Sequence, residues 1–147
     1  ISQAFFPIIT SLDNKNKTKS RLLIKNYLFL MIAIGLFFFF INYLFAEKII
    51  LIFLGNKFSS ANNLLRLFSI ILPLTAVSNV LGRQWLMAIN KDLFYSIVQI
   101  LSSLIAFIVF LILINGFGIK AYPISLIVYE ATVIIMILIF IISNDES

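Results

Sequence analysis

The stretch LFFFFINYLF, Leu36 to Phe45, decides which solvent this chain lives in. A helix that packs in a water-soluble domain keeps a polar stripe toward water, and this segment has none. It is the end of an apolar run, Asn26 to Phe45, as long as the roughly 20 residues a helix needs to cross a bilayer core of about 30 Å.

Two further runs of similar length follow, Leu93 to Ile114 and Ala121 to Ile142, the first containing LIAFIVFLILI. A fourth, Leu64 to Leu81, is interrupted by Arg66, Ser69, Pro73, Thr75, Ser78 and Asn79 and is expected to span as well. The composition agrees: 62% of 147 residues are hydrophobic, 12% are charged, and the mean hydropathy is +1.11. A soluble domain of this size could not hide that much apolar surface. The fold expected is an all-α integral membrane protein with about four transmembrane helices near 26–45, 64–81, 93–114 and 121–142.

Basic residues orient the spans. Lys15, Lys17, Lys19, Arg21 and Lys25 precede the first run, and Arg83 and Lys91 lie between the second and third. The other side holds Lys48, Lys57, Arg66 and Lys120. The DNKNKTKSR segment, the GRQWLMAINKD turn and the C-terminus are therefore expected in the cytoplasm. Topology accounts for a pI near 9.6 without nucleic-acid binding. Residues 1–25 read as the end of a preceding helix plus a basic cytoplasmic loop, and residues 26–147 as the transmembrane segment. ISQAFFPIIT looks like the tail of an apolar segment begun earlier rather than a signal peptide. A C-terminal part of a longer protein is expected, with a trimmed mature chain as the alternative.

Between the first two spans, LIFLGNKFSSANNLLRLF (Leu51–Phe68) holds the end of a short apolar stub. Ala46 to Phe53 is too short to cross, so it reads as an extension of the first helix or a short interfacial helix. Gly55 and Asn56 offer a turn through positive φ, and Ser59, Ser60 and Asn62 offer oxygens to cap the next helix.

Polar residues inside the spans cluster. At about 100° per residue, Arg66, Ser69, Pro73, Ala76 and Arg83 share a third of the second helix, and Ser96, Gln99, Ser103 and Ala106 share a face of the third. Two readings stand: close helix packing through small residues, or the wall of a water-lined cavity. Glu130 lies near the middle of the last span, where a carboxyl must be paired, protonated or turned to a cavity. It lies off the Tyr122, Ser125, Tyr129 and Thr132 face, and no partner is evident at its depth.

Cysteine and histidine are absent, which removes disulfides, thiolate and imidazole catalysis and the commonest zinc ligands. Asp13, Glu47, Asp92, Asp145 and Glu146 form no pair suited to acid–base work, and there is no phosphate-cradling glycine loop. The sequence thus predicts no enzyme, no metal and no cofactor.

The order of signals, FFPIITSLDN with its Pro7, then LGNKFSSANNLLRLF with Leu54-Gly55, Phe58 and Ala61, then LGRQWLMAINK ending in Ala88-Ile89-Asn90-Lys91, then NGFGIKAYPIS, resembles the C-terminal portion of bacterial polysaccharide flippases. These are the O-antigen (Wzx-type) translocases of the multidrug/oligosaccharidyl-lipid/polysaccharide exporter superfamily. The resemblance implies that the helices are part of the second bundle of a two-bundle transporter in the bacterial cytoplasmic (inner) membrane. The substrate would be an undecaprenyl-diphosphate-linked oligosaccharide for O-antigen or lipopolysaccharide synthesis, and the partners the N-terminal helices of the same transporter and membrane lipids. A diphosphate in a low dielectric needs cations and donors. Arg66, Arg83, Gln84 and Gln99 are the expected substrate-binding residues and Glu130 the coupling group. Two alternatives remain open: a small four-helix oligomeric transporter built around Glu130, and a non-transporting scaffold of a glycan-assembly complex.

Overall fold

The computed structural model describes residues 17–86 and 89–145, with side chains from Lys25 to Ser143 apart from 87–88. Pro7, Ala88 and the last two residues, Glu146 and Ser147, lie outside these residues. Among them every regular element is helical.

Among the described residues five α-helices follow in order: α1 (Lys17–Leu44), α2 (Ala46–Phe53), α3 (Asn62–Asn79), α4 (Asp92–Phe117) and α5 (Ala121–Asp145). A 3-10 turn, Asn56–Ala61, precedes α3; a π-helical segment, Val80–Leu86, continues it; and a second 3-10 turn, Gly118–Lys120, joins α4 to α5. Among the described residues three helical stretches are long and apolar enough to cross a membrane: Lys25–Leu44, Asn56–Leu86 and Asp92–Ser143. The chain is a membrane protein, and its side-chain distribution fits that solvent. Phe29, Phe53 and Leu93 are 77%, 80% and 82% exposed, a pattern that lipid accepts and water does not.

The 52-residue third stretch folds back on itself. Gly118 adopts φ +53°, open to glycine at little steric cost, and breaks it into two helices. Phe94 stacks on Phe140 with ring centroids 4.2 Å apart, and Ser102 reaches the Met136 sulfur. Early residues of α4 thus meet late residues of α5, which makes the pair antiparallel. α3 is the hub: α1 packs on one flank and α5 on another, while α4 touches the π segment.

The basic segment read as a loop up to Lys25 is already helical from Lys17. KTKSRLLIK contains no glycine or proline and is rich in good helix formers, so the span's helix extends backward through it. The stub is a continuation of α1 beyond a bend at Phe45, because the Phe45 amide still donates to the Ile41 carbonyl (3.0 Å) and the Ile49 amide to the Phe45 carbonyl (2.8 Å). Gly55 turns at φ +82° as expected, whereas Asn56 does not; among the described residues the left-handed position outside glycine is Asn90, φ +56°. The expected side-chain cap on α3 does not form. The 3-10 turn runs straight into the helix, so the Asn62 amide already has the Ser59 carbonyl as acceptor and needs no hydroxyl.

At one end, Leu86, Tyr95, Val98, Val133 and Ile137 form a buried cluster flanked by Trp85, Phe94 and Phe140. Gly82 is required there. A Cβ at this position would sit 2.1 Å from the Tyr95 ring, so only glycine lets α4 lie so close to the π segment.

Candidate functional site

Thr75 and Ser78 are three residues apart on α3, hence neighbours on one helical face. That face meets α5 at Glu130. The Thr75 hydroxyl donates to Glu130 Oε1 at 2.8 Å, and the Ser78 hydroxyl donates to Glu130 Oε2. The Ser78 hydroxyl has the Thr75 carbonyl, 3.3 Å away, as a longer second acceptor, and the Asn79 amide donates to that same carbonyl at 2.9 Å. Both carboxyl oxygens are engaged, and Glu130 is only 8% exposed. In a medium without water, such bonding holds a polar group that would otherwise face hydrocarbon. The clasp fixes the carboxyl between α3 and α5, which are 55 and 52 residues apart in sequence at these contacts.

Thr75 also lines a cavity of about 350 Å³ on the other flank of α3, against α1. One wall consists of Tyr27, Met31, Ile34 and Phe38 from α1, spaced along a single face. The facing wall is Leu72, Thr75, Ala76, Asn79, Val80, Arg83 and Gln84. Polar side chains gather at the Tyr27 end and apolar ones at the Phe38 end. The π segment brings Arg83 and Gln84 under Asn79 and Val80, because its wider turn returns to the same side after four to five residues rather than 3.6.

Gly35 and Pro73 set the width of this seam. A Cβ on Gly35 would lie 2.9 Å from the Pro73 Cα, 3.2 Å from the Leu72 carbonyl oxygen and 3.2 Å from the Ala76 Cβ. The Pro73 and Ala76 part of the face singled out in the sequence is therefore a helix-packing surface, and the cavity runs beside it.

The five expected site residues separate into three places. Arg83 and Gln84 share the cavity, Arg83 exposed and Gln84 2% exposed. Glu130 adjoins it through Thr75. Arg66 stands at the other end of the span, where its guanidinium donates to Glu47 Oε1 at 3.0 Å and lies 5.8 Å from the Tyr43 ring centroid. The stub thus turns back to bring Glu47 onto α3. Gln99 donates its side-chain amide to the Tyr95 hydroxyl at 2.6 Å, one turn back on α4, and does not line the cavity.

Of the α4 face, Ser96 and Ser103 are exposed, Gln99 is half-buried and Ala106 is buried. Ser103, Ala106, Tyr122, Ser125 and Tyr129 help line a second groove of about 510 Å³ between α4 and α5, half of whose lining residues are aromatic. Among the described residues no cluster of acidic side chains is arranged to hold a metal ion.

Sequence reasoning missed Thr75, Ser78, Asn79 and Gly35. The signal for the first two was a pair of hydroxyls at helical spacing in the span that lacked a partner, matched by a carboxyl in another span that lacked one too. No family model, no curated protein and no solved structure matches the chain.

Proposed function

We propose that the chain is part of a multi-pass transporter that flips polyprenyl-diphosphate-linked oligosaccharide across the cytoplasmic membrane of a bacterium. In this reading residues 26–45, 64–81, 93–114 and 121–142 each cross the bilayer, with Arg83 and Lys91 on the cytoplasmic side. Further helices of the same transporter complete the path.

One observation carries the reading: a carboxyl at mid-helix, Glu130, adjoins through Thr75 a cavity headed by Arg83, Gln84 and Asn79. A bundle held only by packing has no need of this polar seam, whereas a path for an anionic lipid headgroup needs a cation and neutral donors on its wall. Arg83 and Gln84 would meet the diphosphate, and Glu130 would couple helix movement to transport by leaving and rejoining its two hydroxyl donors. The pairing of Arg66 with Glu47 makes that arginine a pin of the hairpin rather than part of this wall.

A second reading, a membrane scaffold in a glycan-assembly complex, is favoured by the saturation of Glu130, since a carboxyl with both oxygens bonded also serves as a helix lock. Complementation separates the two. The reading frame encoding this chain is expressed in a flippase-deleted bacterium that makes the matching glycan, and surface polysaccharide is scored. Restored glycan supports transport; no rescue with the protein present in the membrane refutes it.

A further inference from the structure

The cavity between α1 and α3 has a polarity gradient that packing alone does not explain. At one end stand the Arg83 guanidinium, the Asn79 and Gln84 amides and the Tyr27 hydroxyl; at the other, Ile34, Phe38 and Leu72. Among the described residues Arg83 has no carboxylate within ion-pair distance, in contrast to Arg66. From the register set by Gly35 against Pro73 and Ala76, Tyr27 lies opposite the π segment and Phe38 opposite Leu72.

We propose that this cavity is the binding site of an anionic phospholipid, with its phosphate on Arg83, Asn79 and Gln84 and one acyl chain along Ile34, Phe38 and Leu72. The occupant must be slender. A helix with its side chains is about 10–12 Å across, and the seam beside the cavity is closed to backbone contact at Gly35. About 350 Å³ accommodates one phosphate and part of one chain. The position of the cation fits as well. Arg83 is exposed at the end of the stretch Asn56–Leu86, where lipid headgroups lie, and basic pockets between transmembrane helices on the cytoplasmic side are suited to anionic headgroups.

The guanidinium offers phosphate two parallel N–H donors, and the buried Gln84 holds a polar group at the depth of the phosphate rather than of the chain. The site does not rest on the transport reading. If the chain does transport, the phospholipid is the resting occupant that a larger headgroup must displace.

The test is native mass spectrometry of the full chain in mild detergent, titrated with phosphatidylglycerol and phosphatidylcholine of identical chains. The expected result is one phosphatidylglycerol retained at least about tenfold better than phosphatidylcholine, the preference a charge-assisted bidentate contact gives. Arg83→Gln removes the preference and Arg83→Lys keeps part of it, because a point charge lacks the fork. Glycerophosphoglycerol, the headgroup without chains, does not compete. Equal retention of the two lipids by the unaltered chain overturns the proposal without reference to any variant. So does loss of the preference in Arg66→Gln instead of Arg83→Gln. Because binding is read directly, a failure here is distinct from a failure of complementation.

Discussion

Replacing Gly35 by alanine adds one methyl group at the tightest point between α1 and α3. That carbon would lie 2.9 Å from the Pro73 Cα, where carbon atoms rest comfortably at about 3.5–4.0 Å, so the helices must part by roughly half to one ångström. The neighbour is backbone in a proline ring and cannot swing aside. Overpacking of this kind costs about 1–3 kcal/mol, and in a membrane, where van der Waals contact drives helix association, little offsets it. Gly116 supplies the control. It lies within α4 with nothing within 4 Å of an added Cβ, so Gly116→Ala gains helix propensity worth up to about 1 kcal/mol. The two variants make the same chemical change with opposite expected signs. Unfolding by sodium dodecyl sulfate in mixed micelles, followed by the fluorescence of Trp85, the single tryptophan, reads both, since Trp85 packs against the cluster around Leu86 and Tyr95. Equal midpoint shifts for the two variants, or a Gly35→Ala protein as stable as the unaltered chain, would refute the packing argument.

Three other outcomes are expected. Gly82→Ala forces the Tyr95 ring away from a contact of 2.1 Å and destabilises by about 1–3 kcal/mol, and the Gly82→Ala/Tyr95→Ala double variant costs less than the sum of the singles in the same titration. Glu130→Gln, at unchanged protein level, lowers surface glycan in the complementation assay; unchanged glycan refutes the coupling role and leaves the clasp as a structural bond. Glu47→Gln shifts the unfolding midpoint by less than about 1 kcal/mol, because the Glu47 and Arg66 side chains are 69% and 36% exposed; a larger loss, recovered by exchanging the two residues, would show the pair to be more than a surface contact.

The apolar runs made the helices legible, and the short stub and the turn at Gly55 could be placed because length and glycine each have a direct backbone meaning. What could not be read is which face of each helix meets which neighbour. Periodicity grouped Arg66, Ser69, Pro73, Ala76 and Arg83, yet Arg66 pairs with Glu47 and the middle of the face packs on Gly35. The partners of Glu130 lie on the adjoining face, and angular position within one helix carries no information about the azimuth of another. The continuation of α3 to Leu86 escaped notice for a related reason: Gly82 reads as a turn residue when taken alone, and only the Tyr95 ring filling its place makes it a helical one.

The carboxyl clasp also bears on the order of assembly. A chain made from its N-terminus places Thr75 and Ser78 in the bilayer before Glu130 leaves the ribosome. A charged side chain at the centre of an inserting helix costs about 2.5–3.5 kcal/mol on insertion scales, and here two hydroxyls already at the right depth can receive it as α5 enters. Were α5 synthesised ahead of α3, Glu130 would meet lipid first, so the sequence order of the helices itself protects the least membrane-compatible residue of the span.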